Sequence, residues 1–295
     1  MEMEDLYLKK ALNMWTVTGF EYLGKPSVEE IVESAGNLDY DGIEFCFDEG
    51  LLHPDRIDKA TRKRYVDVAA SQNLVFSSVA TGLFWKYNLG SPDEKVRRKA
   101  TEFVKKGLKL AGDLGAKVLL VVPAVASVEI PYEKLCSLSQ KFLKECSKWA
   151  EECGVIVGVE NVWNKFLYSP LEFNRFIQDL NHELIRAYLD VGNVLNLGYP
   201  EHWIDLLGDL IAIVHIKDFD LKVGSIQGFR HLLQGSMDWK SIMGKLRGVG
   251  YDGFLVVECP PDFYPDLKEP RYPEDGLRAA KDNAEALNRI FSYLT

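Results

Sequence analysis

Residues 155–160 read VIVGVE: five apolar or small residues without a charge, ending on a carboxylate and followed at once by the polar and aromatic Asn161-Val162-Trp163-Asn164. A short uninterrupted apolar run of this kind predicts a strand buried on both faces, as in a parallel sheet covered by helices. A charge at its C-terminal tip sits where such sheets place their chemistry. The arrangement returns three times. IRAYLD ends on Asp190, IAIVHIKD carries His215, and GFLVVE ends on Glu258.

The rest of the chain alternates in the same way. Strands are expected at 9–15, 42–45, 74–79, 117–122, 155–160, 185–190, 211–216 and 253–257. Between them lie amphipathic segments with helix punctuation. Ser27 is an N-cap with Glu29 and Glu30 in the first turn, and Ser91-Pro92-Asp93-Glu94 reads as a cap with proline at the first helical position. Gly115 and Gly154 end helices that start near 91 and 132, and Asp238 caps the helix at 239–249. The segments 80–90 and 217–236 read as loops. Strand and helix alternate eight times without a composition break or a low-complexity linker. That count predicts one (β/α)8 TIM barrel as a single domain over residues 1–295. An open doubly wound sheet is the competitor, but no GxGxxG or phosphate-binding loop follows any strand.

Composition narrows the functional classes. A net charge of −9 argues against a general nucleic-acid binder while leaving room for a small local phosphate site. No apolar run approaches the ~18 residues of a membrane span, so no membrane partner is expected. The opening MEMEDLYLKK lacks the basic and apolar regions of a signal peptide. Five cysteines form no CxxC pair, and the odd count speaks for reduced thiols rather than a disulfide framework. A cytoplasmic location is expected.

A lone acid at a strand end is usually a helix cap or a salt-bridge partner. Four chemistry-bearing side chains at the ends of consecutive strands are a different matter. In a closed barrel those tips share one half of one rim, so Glu160, Asp190, His215 and Glu258 can converge. Three carboxylates in apolar surroundings repel one another unless a cation neutralises them. Mixed oxygen and imidazole donors suit one divalent ion: Mn²⁺ first, with Co²⁺, Zn²⁺ or Mg²⁺ as alternatives, the last usually keeping more water.

The segments Glu160-Asn161-Val162-Trp163-Asn164, Asp190-Val191-Gly192-Asn193, Val214-His215-Ile216-Lys217-Asp218, Gly235-Ser236-Met237-Asp238-Trp239 and Val257-Glu258 together resemble the xylose-isomerase-like superfamily. Within it they are similar to the sugar-phosphate isomerase/epimerase group, which contains ketose 3-epimerases such as D-tagatose 3-epimerase and L-ribulose-5-phosphate 3-epimerase. The Ser91-Pro92-Asp93 start followed by Arg97-Arg98 also resembles that group. The resemblance spans nearly the whole chain. It implies that Glu160, Asp190, His215 and Glu258 are metal ligands, and that Glu160 and Glu258 double as an acid/base pair. The chemistry is coherent: epimerising a carbon beside a carbonyl requires proton removal on one face and return on the other, with a Lewis acid stabilising the enediolate. Two departures stand out. Characterised 3-epimerases carry a sugar-contacting histidine where this chain has Asn193, and an arginine where it has Leu221. The implied substrate therefore differs from the free ketohexoses or is held differently.

A second tier of residues is expected to bind substrate. Trp15, Phe84, Trp85 and Trp163 present aromatic faces that can pack on a sugar ring, with Trp163 and Phe84 foremost. Glu44 is placed to hydrogen-bond a sugar hydroxyl, or else to form a salt bridge inside the rim. Lys217 and His231 offer basic groups for a substrate oxygen or phosphate, and Asn193 completes the set. The expected partner is a small sugar or sugar phosphate, and barrels of this kind often form homodimers or homotetramers. The function read from the sequence is a divalent-metal-dependent epimerase or isomerase acting on a ketose or its phosphate. The alternatives are an aldose–ketose isomerase, an inosose dehydratase-like lyase, a non-catalytic sugar- or metal-binding barrel and, against the net charge, an apurinic endonuclease.

Overall fold

The computed structural model describes residues 8–294, so most of the stretch read for a signal peptide lies outside the described residues. The apolar runs pair side by side into a closed parallel barrel. Its strands are β1 (Lys9–Asn13), β2 (Gly42–Cys46), β3 (Val75–Ala80), β4 (Val118–Val121), β5 (Ile156–Glu160), β6 (Ile185–Asp190) and β7 (Ile211–Ile216). Two-residue strands β8 (Asp218–Phe219) and β9 (Phe229–Arg230) follow, and then β10 (Phe254–Val257). The barrel closes in the order β1-β10-β7-β6-β5-β4-β3-β2, while β8 and β9 form a separate antiparallel ribbon. Parallel neighbours cannot be joined by tight hairpins, so each crossover carries helix that covers the barrel's outer face.

Local chemistry sets the helix ends. The Ser27 side chain accepts from the Glu30 amide while the Glu30 carboxylate accepts from the Ser27 amide at 2.7 Å, a reciprocal box at the start of the helix Val28–Asn37. Replacing Ser27 by alanine leaves the Glu30 amide without its side-chain partner and should cost about 1 kcal/mol. A lowered midpoint in urea, with the slope unchanged, checks this. Gly115 and Gly154 take left-handed φ values of 77° and 62° and end the helices Glu94–Leu114 and Tyr132–Cys153.

Three expectations from the sequence need correcting. The helix expected from Ser91 starts at Glu94, because Asp93 caps it by accepting from Lys95 N at 2.8 Å. The Ser91 hydroxyl instead accepts from Asp93 N at 3.2 Å, turning the chain before the helix begins. The stretch 80–90 contains a short helix, Leu83–Lys86, and 217–236 contains the β8–β9 ribbon, pairing Asp218 with Arg230 and Phe219 with Phe229.

Register decides what meets at the C-terminal rim. Glu160 lies opposite Tyr188 and Asp190 opposite His215, while Val257 lies opposite Ile216, so that Glu258 emerges beside Lys217. Asn13 lies opposite Glu44, and Glu44 opposite Ser78.

Candidate metal centre

His215 stands fully buried at the middle of the site. Its Nδ1 is 3.2 Å from Glu160 Oε1 and 3.9 Å from both Asp190 Oδ2 and Glu258 Oε2. Its Nε2 is 2.6 Å from Glu44 Oε2. A carboxylate can only accept, so Nε2 donates to Glu44 and Nδ1, when protonated, donates to Glu160; with Nε2 fixed by Glu44, Nδ1 is the nitrogen whose lone pair would turn to an ion held by the three rim carboxylates. Ligand atoms of Glu160, Asp190 and His215 all lie within 4.8 Å of one another. Glu258 stands beside this group, tied to it by the Lys217 ammonium, which donates to both Asp190 and Glu258.

The donor set fits a divalent ion. Four carboxylates, including Glu44, face one ammonium and one imidazole in a buried pocket, leaving a deficit of positive charge. The deficit is visible in the protonation behaviour. Burial pushes the Glu160 carboxyl up to about 7, against its hydrogen bond to His215, and Glu258 and Asp190 add repulsion. Burial would lower His215, but the Glu44 and Glu258 carboxylates outweigh it and hold the imidazole well above its usual value. Burial likewise opposes the Lys217 charge, and the carboxylates of Asp190 and Glu258 reverse that effect. Each cationic group is retained because the site attracts positive charge.

The support beneath the centre is built from polar residues inside otherwise apolar strands. Glu44 accepts from Asn13 Nδ2, from Ser78 Oγ at 2.8 Å and from the Tyr188 hydroxyl. Burial opposes ionisation of Glu44, but His215, Tyr188 and Ser78 together hold its carboxyl below the usual value. Asp190 is locked from both sides. Its backbone N donates to Asn161 Oδ1 and its carbonyl accepts from Asn161 Nδ2, each at 2.8 Å, and its Oδ1 accepts from Asn193 N at 2.8 Å. Oδ1 thus caps the short helix Val191–Leu195, while Oδ2 is left facing Lys217 and His215. A Cβ on Gly192 would lie 2.4 Å from Lys217 Cγ and 2.8 Å from Lys217 O, so only glycine lets the Lys217 backbone pass this close.

A cavity of about 910 Å³ opens above the centre, and Trp15, Glu160, Trp163, Asn193, Lys217 and Glu258 all line it. Trp163 donates from Nε1 to Asn193 O at 2.8 Å and stacks on Phe229 at 5.1 Å between centroids. Three expected substrate contacts lie elsewhere. Glu44 is fully buried in mid-strand beneath His215 and absent from the cavity wall, and its contact with the imidazole is the internal pairing that was its other expected role. Phe84 is fully buried because the short helix Leu83–Lys86 turns it inward, leaving Leu83 and Trp85 on the cavity. His231 is buried against the Tyr264 ring at 3.8 Å between centroids, with Nδ1 bonded to Asn283 at 2.8 Å and no partner for Nε2 among the described residues. Burial lowers its pKa to about 4, so it is neutral near pH 7 and ties the 217–236 segment to the helix Glu274–Phe291. The sequence reading did not assign roles to Asn13, Ser78, Asn161 and Tyr188. The available signal was a polar side chain interrupting, or directly following, a strand's apolar run.

Known proteins agree with this architecture. SgbU of Escherichia coli K12, provisionally named an L-ribulose-5-phosphate 3-epimerase, is 27% identical over 234 residues, covering 76% of this chain and 80% of its own. A D-psicose 3-epimerase from Clostridium cellulolyticum H10, solved with D-tagatose, superposes with a TM-score of 0.79 at 18% identity, over 97% of this chain and 99% of that one. The IOLI protein, solved with a binding zinc atom, superposes with a TM-score of 0.77 at 19% identity, over 97% of this chain and 100% of that one. No helix among the described residues is long and apolar enough to cross a membrane. The sequence pattern of xylose isomerase-like TIM barrels matches residues 32–289, and the chain belongs to that family.

Proposed function

We propose that this chain is a cytoplasmic, divalent-metal-dependent sugar epimerase or isomerase that moves a proton on and off the carbon beside a ketose carbonyl. The observation that carries the reading is the division of labour among the four rim side chains. Glu160 and Glu258 line the cavity, whereas Asp190 and His215 are fully buried behind them. Two carboxylates with access to substrate can exchange its proton, while the other two groups serve only to hold an ion. Glu160 ends β5 and Glu258 follows β10, with β6 and β7 between them around the barrel, so the two approach a bound sugar from different sides.

Glu160, Asp190, His215 and Glu258 would hold the ion, Mn²⁺ being our first choice. When bound it supplies Lewis-acid stabilisation of negative charge developing on the sugar oxygens. By accepting from Nε2 of His215, Glu44 would leave Nδ1 as the nitrogen that faces the ion. One glutamate takes the carbon-bound proton; return by the other inverts the carbon, whereas return by the same one regenerates the starting sugar. Trp15 and Trp163 form apolar walls that limit water around the sugar, and Asn193 offers a neutral amide on the same cavity. The L-ribulose-5-phosphate 3-epimerase name of the 27% identical relative supports the same reaction class.

A direct test incubates the Mn²⁺-loaded protein with ketoses and ketose phosphates in D₂O and follows deuterium by NMR. Label at carbon 3 is expected and identifies epimerisation. Label at carbon 1 or 2 identifies aldose–ketose isomerisation, and loss of water identifies a lyase. Exchange should vanish on chelation and return with added Mn²⁺. Tight metal binding without exchange on any sugar would make this a binding barrel and end the proposal.

A further inference from the structure

The cavity is far larger than the chemistry beneath it requires. Its volume of about 910 Å³ lies near the top of the ~300–1,000 Å³ range of pockets that enclose drug-sized ligands. A free pentose or hexose would leave much of it to water. Its charge is one-sided as well. Among the described residues, Lys217 is the one basic side chain on the wall, facing Asp48, Glu160, Glu258 and Asp262. The Lys217 ammonium is already engaged by Asp190 and Glu258 and lies 5.6 Å from the Phe229 ring centroid. Residues 1–7 and 295, outside the described range, include no lysine, arginine or histidine. The strong side-chain donors to a phosphate dianion are guanidinium and ammonium groups. This wall offers four carboxylates and no disengaged cation.

What the outer cavity offers instead is apolar. Phe20 is 61% exposed, Trp85 48% and Ile226 71%, and all three line the cavity. Phe20 packs on Trp15 at 5.4 Å between centroids, and Phe263 stacks on Phe229 at 5.3 Å, so aromatic faces run from mouth to interior. Large apolar side chains left exposed together around a concave site mark a surface that binds something apolar.

We propose that the substrate is an uncharged keto sugar carrying a bulky apolar substituent, with its carbonyl end between Glu160 and Glu258 and its substituent against Phe20, Trp85 and Ile226. This rests on the epimerase or isomerase reading and specifies the substrate class of that same site. It predicts discrimination against ketose phosphates.

The test uses three ketoses that share one reacting centre and differ only at carbon 6: D-fructose, D-fructose 6-phosphate and 6-O-benzyl-D-fructose. Binding to the Mn²⁺-loaded protein is measured by calorimetry, and solvent exchange is followed in D₂O. The benzyl ether is expected to bind at least ten-fold more tightly than either of the others. Trp85→Ala should erase most of that advantage, and Ile226→Ser, at a highly exposed position, should reduce it if the tryptophan variant folds poorly. Binding of the phosphate as tight as or tighter than the benzyl ether overturns the proposal, as does equal binding of the benzyl ether and free fructose. The two readings fail separately. Preferential exchange on the phosphate removes the apolar-substituent proposal and keeps the enzyme. Tight benzyl binding with no exchange on any probe removes the enzyme reaction and keeps the pocket.

Discussion

Glu258→Gln is expected to reduce kcat/KM for solvent exchange by about 10³-fold, within the range for loss of a positioned acid or base. The substitution keeps the shape of the side chain, and Lys217 retains Asp190 as a partner, so the barrel should keep its circular dichroism and melting temperature. The capacity to carry a proton disappears, and one negative charge goes with it. Glu258 would also contact the ion, so the assay must be run at saturating Mn²⁺ with metal content measured in parallel. A variant that binds metal yet fails to exchange identifies a lost proton carrier. A variant that needs more Mn²⁺ but then recovers full rate identifies a ligand only. Full activity without added metal would remove Glu258 from the mechanism.

Glu44→Gln should weaken Mn²⁺ binding by roughly 10–100-fold, the usual consequence of losing a carboxylate behind a metal-binding histidine. Glu44 touches no substrate in this arrangement, and it acts by holding the proton on His215 Nε2. A glutamine can turn its NH₂ toward Nε2, which would put the proton of the neutral ring on Nδ1 and block the lone pair needed by the ion. Three donors, from Asn13, Ser78 and Tyr188, converge on Glu44 at present, so the amide would also leave one of them poorly matched. Calorimetric titration of Mn²⁺ reads the effect without any turnover. An unchanged dissociation constant would mean that packing alone orients His215. Rescue of exchange at high Mn²⁺ separates this supporting role from the proton-carrying role assigned to Glu258.

The barrel and its four converging side chains were legible because both depend on local, repeated features. Buried parallel strands must be nearly free of charge, so a carboxylate or imidazole in or just after such a run is conspicuous, and strand order along the chain places consecutive tips next to one another on the rim. Glu160, Asp190, His215 and Glu258 needed no more than that. Capping chemistry is equally local, which is why Ser27, Gly154 and Asp238 were read at the positions the structure gives them.

Which way the remaining side chains point was settled by tertiary structure alone. A shift of one residue in a strand reverses its inward and outward sets, and a bulge is such a shift. The irregular register between Ile43 and Glu44 accompanies a Glu44 that lies beneath His215 and not on the cavity. One turn of helix at Leu83–Lys86, too short to show a periodic pattern, buried Phe84 and left Trp85 on the cavity wall. His231 was claimed by Asn283, some fifty residues later in the sequence, and Lys217 by two carboxylates from neighbouring strands. The sequence by itself determined the architecture and the gathering of Glu160, Asp190, His215 and Glu258 on one rim, because periodicity and strand-end chemistry are written locally. The fold decided which charges are already satisfied and which faces remain open to a ligand, because those depend on partners distant along the chain.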